Sequence, residues 1–242
     1  MAVSTRRDVM STRDIEEVLD RPIDWIPYDV IASNPLYRDR TWLTDGWTPG
    51  YRFCKRAIDI LLSAAFLVMI LPLFPLIAVA IKLDSPGPVI YSQLRLGVNS
   101  KPFRIYKFRS MREDAEATGA VYAEADDPRV TRVGRFLRRT RLDELPQIWN
   151  VLRGEMSIIG PRPERPENEQ MLEEGIPGFS MRTCVKPGLT GWAQIRAPYA
   201  NTVEQSTRKL EFDLYYIRHA SLWLDLRIAR KTALVMLRLA GQ

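Results

Sequence analysis

Three hydrophobic patterns mark this chain. From Ile60 to Ile81 there are 22 residues without a charge. As a helix that run is about 33 Å long, enough for a bilayer core of ~30 Å. A run so apolar on every face predicts membrane insertion rather than a buried core helix. Lys55 and Arg56 precede it, Lys82 follows it, and Pro72 and Pro75 lie inside it. Each proline removes a backbone donor and clashes with the preceding turn, so a break is expected at Pro72. Basic residues flank both ends, so the pattern leaves a kinked span and a re-entrant hairpin equally open.

The second pattern is Arg104-Ile105-Tyr106-Lys107-Phe108-Arg109, which reads as a strand. In the third, Leu222, Leu226, Ala229, Ala233 and Leu237 recur at three or four residues. Arg227, Arg230, Lys231 and Arg238 lie mostly off that stripe, and Tyr215, Tyr216 and Trp223 sit near its start. Such a basic amphipathic helix suits a membrane interface or the protein core. Near the N-terminus, Ser11 and Asp14 form a capping-box pattern ahead of Ile15, Val18 and Leu19. The expectation is an α+β, helix-dominated fold with a small β element.

Composition narrows the partners. The 242 residues are 46% hydrophobic and 26% charged, which excludes wholesale disorder. A net charge of +6 calls for an anionic partner: nucleic acid, a phosphorylated substrate or acidic lipid. The charge is uneven: residues 1–50 carry net −3 and residues 51–242 net +9. This marks a boundary near Gly50 that sets off an N-terminal extension (1–50); the apolar run marks a membrane region (51–84), and a basic domain (85–242) follows. Trp25, Trp42 and Trp47 in the extension either dock on the main domain or a membrane, or ride on a floppy arm. Cys54 and Cys184 are too few and too far apart for a disulfide framework. A single histidine, His219, excludes the usual His/Cys zinc sites and argues against a His-based triad. The N-terminus lacks the apolar stretch of a secretory signal, and no GxxxxGK[ST], GxGxxG or HExxH motif occurs.

The basic region gathers residues that handle phosphate. Arg95, Lys101, Arg104, Lys107, Arg109 and Arg112 follow one another with no acid between them. Arg129, Arg132, Arg135 and Arg138 then recur every three residues, with Arg139 and Arg141 close behind. That stripe suits a solvated face, a lipid-headgroup contact or a pyrophosphate clamp; an all-Arg run without counter-ions favours an anion site. Asp143 and Glu144 come next, before Pro146. Alone they read as an ordinary helix start. Beside a dense Arg field, a carboxylate is expected to stay ionised, able to hold Mg²⁺ or attack phosphorus. Pro161 and Pro163 fix the backbone around Arg162, and Lys186 through Trp192 form a turn-rich loop with a cation and an indole, or a plain connector.

Taken together, these motifs resemble the bacterial sugar transferase family, the monotopic phosphoglycosyl transferases. The resemblance runs from about Phe53 to Leu239. It rests on Lys55-Arg56-Ala57-Ile58-Asp59, Ile105 through Met111, Leu142 through Gln147, Asn150-Val151-Leu152, Gly154 through Ser157, Gly160 through Pro163 and Lys186 through Gln194. It implies transfer of a sugar-1-phosphate from a nucleoside-diphosphate sugar, by family habit UDP-linked, to polyprenyl (undecaprenyl) phosphate. The implied setting is the cytoplasmic face of the bacterial inner membrane, in surface glycan or exopolysaccharide synthesis. It further implies Asp143 as the nucleophile, Glu144 as a Mg²⁺ ligand, Arg138 and Arg162 as phosphate grips, and Lys107 and Arg109 as further phosphate contacts. Membrane lipid is then a partner and nucleic acid is not. The apolar segment is expected to be re-entrant, broken at Pro72, although Leu71 stands where the family often carries Ser. The rival reading is a non-catalytic membrane-anchored basic module that binds acidic lipid or nucleic acid, which would have no use for Asp143 and Glu144.

Overall fold

The computed structural model describes residues 26–33, 40–115, 127–197 and 202–237. The Ser11–Asp14 capping pattern and Trp25 lie outside the described residues. Two short helices, α1 (Tyr28–Ser33) and α2 (Thr41–Thr44), precede the apolar run, which forms α3 (Pro49–Ile70) and α4 (Leu73–Asp84). The Thr48 side chain accepts from the Tyr51 N–H, and Pro49 sits at the helix start, where no donor is needed. The two long helices meet at 61° across Leu71 and Pro72. Pro72 has no N–H for the Val68 carbonyl. The Leu71 carbonyl, which Pro75 cannot pair, instead accepts from the Phe74 N–H at 3.3 Å. The bend therefore forms without a hydroxyl before Pro72. Among the described residues no single helix is long and apolar enough to cross a membrane; the bent pair meets that length and composition jointly. Leu61, Val68, Met69, Leu71, Leu76 and Val79 are exposed along it.

Strand β1 (Ile90–Leu96) pairs antiparallel with β2 (Pro102–Phe108), Ile90 opposite Phe108 and Leu96 opposite Pro102. The observed strand starts before Arg104 and stops short of Arg109. Helix α5 (Arg132–Arg139) is capped by the Thr131 hydroxyl, which accepts from the Gly134 N–H. A 3₁₀ turn, Leu142–Gln147, leads into α6 (Ile148–Arg153). Strand β3 (Ser157–Ile159) pairs in parallel with β4 (Gly188–Thr190). Between them lie α7 (Pro166–Gly175) and a 3₁₀ turn, Phe179–Cys184; α8 (Trp192–Arg196), α9 (Val203–Arg218) and α10 (Leu222–Leu237) follow. The fold is α+β and helix-dominated, but its β component is two small sheets. The parallel pair requires glycine: a Cβ on Gly188 would meet the Gly160 nitrogen at 2.1 Å, and one on Gly191 the Gly160 oxygen at 2.2 Å.

The main core gathers Phe179, Trp192, Leu210, Leu214, Tyr216 and Ile217, joined by Ile26, Val30, Ile31 and Leu43. The Trp47 indole donates to the Ile217 carbonyl at 2.8 Å, and Trp42 packs against the same core. These two tryptophans thus dock on the protein body. Trp192, read from sequence as the indole of a turn-rich loop, is 1% exposed and belongs to this core. On α10 the residues turned inward are Leu224, Asp225 and Ile228, while Leu222, Trp223, Leu226, Ala229 and Ala233 face outward. The apolar stripe seen in the sequence is therefore the outer face of α10.

The base of α3 is fastened to the rest of the protein by polar contacts. Lys55 and the Tyr51 hydroxyl each reach Asp225 at 3.0 Å, and the Tyr216 hydroxyl joins them at 2.8 Å. Asp59 accepts from the Ser157 hydroxyl at 3.0 Å and the Ile158 N–H at 2.9 Å. Arg56 donates to the Val151 and Leu152 carbonyls at 2.7 and 2.8 Å, capping the end of α6.

Candidate active site

Four elements converge on one site. β2 supplies Lys107, α5 supplies Arg138, the 3₁₀ turn supplies Asp143 and Glu144, and the loop after β3 supplies Arg162. The local chain path follows from α5 ending at Thr140, whose hydroxyl donates back to the Phe136 carbonyl at 2.9 Å. Arg141 then takes a left-handed conformation, φ 61°, uncommon without glycine and a frequent companion of functional sites. That reversal turns Asp143 and Glu144 inward, where both are buried. Asn150 fixes α6 against β2: its amide donates to the Arg104 carbonyl at 2.7 Å and its oxygen accepts from the Tyr106 N–H at 3.3 Å.

Glu144 is held from two sides. Lys107 reaches its Oε1 at 3.1 Å, and Arg162 grips both oxygens, at 2.5 Å to Oε1 and 3.3 Å to Oε2. Asp143 differs: its Oδ1 is buried without a hydrogen-bond partner among the described residues. A buried polar atom without a partner is rare enough to need a reason. The two carboxyls also titrate apart. Burial, then the charge of Glu144, push Asp143 up to about 6, against the pull of Lys107, Arg162 and Arg138. Burial acts on Glu144 in the same sense, but Arg162 and Lys107 overcome it and hold Glu144 well below the usual carboxylate range. Burial lowers Lys107, opposed by Glu144. Neighbouring carboxyls pushed apart in this way are the usual mark of divided roles. The cations alone do not set the ionisation of Asp143, as the sequence suggested; burial outweighs them.

The structure brings Glu144, Lys107 and Arg162 into contact, and the charges of Lys107, Arg162 and Arg138 reach Asp143. It does not bring Arg109. That guanidinium is buried and donates to the Pro86 and Ser85 carbonyls at 2.5 and 2.7 Å, holding the turn after α4. Arg129 stands before the helix and pairs with Asp127 at 2.6 Å, so the Arg run does include a counter-ion. Lys186 lies by Arg56 and Asp59 at the base of α3, away from the carboxyl pair.

Other contributors were given no individual role by the sequence. The side-chain nitrogen of Gln147 is buried without a partner one turn after Asp143. Arg182 forms a buried pair with Asp213 at 2.6 Å and donates to the Arg162 carbonyl at 2.7 Å. Arg95 donates to the Pro163 carbonyl at 3.2 Å, and Arg95 and Lys209 flank Glu164 at 3.6 and 3.7 Å. The loop carrying Arg162 is thus braced by residues from β1, α9 and the 3₁₀ turn Phe179–Cys184, far apart in sequence. Asn150 and Glu155, by contrast, pair at 2.8 Å as near neighbours along the chain.

The donor set suits Mg²⁺ in kind: two hard carboxylates, one with a spare oxygen. Among the described residues no group of three or more His, Cys, Asp or Glu side chains gathers. Mg²⁺ commonly needs only one or two carboxylates and takes its other ligands from phosphate and water. Glu144 has both oxygens engaged, so it could hold a metal only by releasing part of its hold on Lys107 or Arg162.

The chain matches a family described as bacterial sugar transferase over residues 50–239. It is 48% identical over 185 residues to a UDP-N-acetylgalactosamine-undecaprenyl-phosphate N-acetylgalactosaminephosphotransferase of Aeromonas hydrophila, covering 76% of this chain and 44% of the relative. It is 49% identical over 179 residues to a UDP-glucose:undecaprenyl-phosphate glucose-1-phosphate transferase of Escherichia coli K12, covering 73% of this chain and 39% of the relative. It is also similar to an exopolysaccharide production protein of Rhizobium leguminosarum bv. phaseoli, at 42% identity over 180 residues, 72% of this chain and 90% of the relative. The matched part spans less than half the length of the first two relatives.

Proposed function

This chain belongs to the bacterial sugar transferase family, and from that premise we propose that it transfers a sugar-1-phosphate from a UDP-sugar to undecaprenyl phosphate. The observation that carries the reading is the unpartnered, buried Asp143 Oδ1 beside Lys107, Arg162 and Arg138. Asp143 attacks the sugar-bearing phosphorus of the donor. The bond from that phosphorus to the bridging oxygen breaks, and uridine monophosphate leaves with the electron pair. An acyl phosphate joins Asp143 to the phosphosugar. An oxygen of the lipid phosphate then attacks the same phosphorus and expels the Asp143 carboxylate. A phosphate monoester is largely ionised at neutral pH, so the second step has little need of a base.

The remaining residues stabilise charge. Arg162 and Lys107, released in part from Glu144, and Arg138 face the non-bridging phosphate oxygens, where transition-state charge gathers. Glu144 would hold Mg²⁺, with Asp143 beside it; when bound, the ion neutralises the diphosphate. The buried side-chain nitrogen of Gln147, without a partner among the described residues, would donate to a bound group. The reading also assigns the protein to the bacterial inner membrane, with α3–α4 as a re-entrant hairpin and the site on the cytoplasmic side. The bend at Pro72 and the exposed apolar residues along both helices support that seating. The alternative, a non-catalytic basic module, leaves the buried carboxyl pair without a purpose.

The test is a panel of UDP-sugars incubated with the protein, Mg²⁺ and undecaprenyl phosphate, scored for uridine monophosphate. One sugar should release it in a lipid-dependent manner. Lipid and nucleic acid binding with no release from any donor supports the binding module instead.

A further inference from the structure

The segment that carries Arg162 is held by its carbonyls. Pro161 and Pro163 have no N–H to donate, so acceptors do most of the fixing. Each of the four carbonyls from Pro161 to Glu164 takes a donor from a distant part of the chain. The Gly188 N–H meets the Pro161 oxygen at 2.8 Å, and the Leu96 N–H meets that of Glu164 at 2.9 Å. For the two carbonyls between them the donors are guanidiniums: Arg182 to Arg162 at 2.7 Å, and Arg95 to Pro163 at 3.2 Å.

Arg182 is the one whose donor falls on Arg162 itself. The same nitrogen, Nη2, lies 2.6 Å from an Asp213 carboxylate oxygen, so it joins α9 to the backbone of the residue that grips Glu144. Both side chains are buried, Arg182 at 3% and Asp213 at 1% exposure. The Nε and Nη1 of Arg182 have no hydrogen-bond partner among the described residues. A buried guanidinium with unmet donors is a costly way to hold a carbonyl that a neutral donor would hold as well. Nor is such a pair a strong source of stability, since apolar residues of like volume commonly replace one without loss. What it supplies is placement: a rigid planar group with one end locked to Asp213.

We propose that Arg182, locked by Asp213, is the positioning residue for Arg162 in the transfer reaction. This rests on the function proposed above and deepens it: the cation that meets the phosphate oxygens is aimed from behind, through its own carbonyl. Arg182 stays out of the contacts made to Glu144, which come from Lys107 and Arg162. It acts through the Arg162 backbone alone. Because Arg162 serves charge that gathers in the transition state, misplacing it lowers kcat more than it raises KM. A displacement of about 1 Å at a positioning group costs on the order of a hundredfold in rate.

The experiment measures kcat and KM for the UDP-sugar that the panel identifies, using the full chain with Mg²⁺ and undecaprenyl phosphate. In Arg182→Lys the side chain is one bond shorter; it should keep a charge by Asp213 without reaching the Arg162 carbonyl. Its kcat should fall on the order of a hundredfold, with KM changed by less than about threefold. Arg182→Met/Asp213→Asn removes both buried charges, should fold as wild type does by circular dichroism and thermal unfolding, and should show the same loss of kcat. The decisive comparison adds Arg162→Lys, which has no fork to place. In Arg162→Lys/Arg182→Lys the loss should be no greater than in Arg162→Lys alone. Losses that multiply overturn the proposal, because Arg182 would then act on the protein at large. Wild-type kcat in either folded Arg182 variant overturns it too, as does failure of both to fold, which would make the pair an element of stability. Wild type that releases no uridine monophosphate from any donor defeats the reaction itself and this role with it. An active wild type beside an equally active Arg182→Lys defeats the positioning role alone.

Discussion

Arg162 holds both oxygens of Glu144, at 2.5 and 3.3 Å, and so leaves Asp143 as the carboxyl of the pair with an oxygen to spare. The acids are adjacent in sequence, yet one is neutralised by a fork-shaped cation and the other is buried without a donor to its Oδ1. A two-pronged guanidinium suits this better than a lysine, because it satisfies a whole carboxylate at once.

Replacing Asp143 with asparagine should abolish turnover and covalent labelling, since an amide is a poor nucleophile. Intact-protein mass spectrometry after incubation with donor and Mg²⁺, without lipid, should show a phosphosugar adduct on wild type only. An adduct on the asparagine variant would remove Asp143 from the covalent role.

The same variant should be more stable than wild type. Asp143 is raised in the folded state from 3.8 to about 6, so the native protein binds its proton more tightly than the unfolded chain. Stability from this group is therefore present at low pH and lost as pH rises through that window. The stability of Asp143→Asn relative to wild type, from unfolding curves, should increase between about pH 4 and about pH 7 by roughly 3 kcal/mol. A constant difference across that range would contradict the assignment.

Labelling by donor should follow the ionised fraction of Asp143. Below about pH 6 its rate should fall close to tenfold for each further pH unit, and above about pH 7 it should level off. Rapid-quench measurements over this range, without lipid, isolate the step. Glu144, held low by Arg162 and Lys107, should contribute no inflection there.

For Glu144→Gln the expected result is a loss of Mg²⁺-dependent turnover, together with destabilisation of about 3 kcal/mol, because the buried Lys107 and the Arg162 fork lose their common counter-ion. Magnesium titration of turnover and thermal unfolding measure the two effects. Turnover with the wild-type Mg²⁺ dependence would take Glu144 out of the metal site.

Arg109→Ala should behave as a structural lesion. Loss of its bonds to the Ser85 and Pro86 carbonyls should lower stability by about 2 kcal/mol, while the KM for donor in the folded fraction stays near wild type. A large rise in KM without a stability change would return Arg109 to the phosphate-binding set.

Native Cys54 is exposed at the base of α3, and Leu83→Cys in a Cys54→Ser background marks the end of α4. In sealed vesicles an impermeant maleimide should label both from the same side if the hairpin is re-entrant. Labelling from opposite sides would make the bent pair a span.

Much of this protein is legible from its residues taken in order. The charge-free run from Ile60 and the position of Pro72 mark the apolar part of the two helices and where they break, because hydrophobicity and a missing backbone donor act locally, although the first helix already starts at Pro49. Asp143 and Glu144 beside cations could be singled out in the same way. What order along the chain does not carry is direction and company. Lys107 and Arg109 illustrate it, two residues apart on a strand that ends between them: the first meets Glu144 and the second the carbonyls after α4. The α10 stripe faces outward because Leu224 and Ile228 enter the core and Asp225 turns inward with them to meet Lys55, Tyr51 and Tyr216. Arg182 and Asp213 meet behind Arg162 only once α9 has packed. Above all, tertiary structure raised Asp143 and lowered Glu144: burial acts on both, and the difference lies in which carboxyl the Arg162 fork can reach.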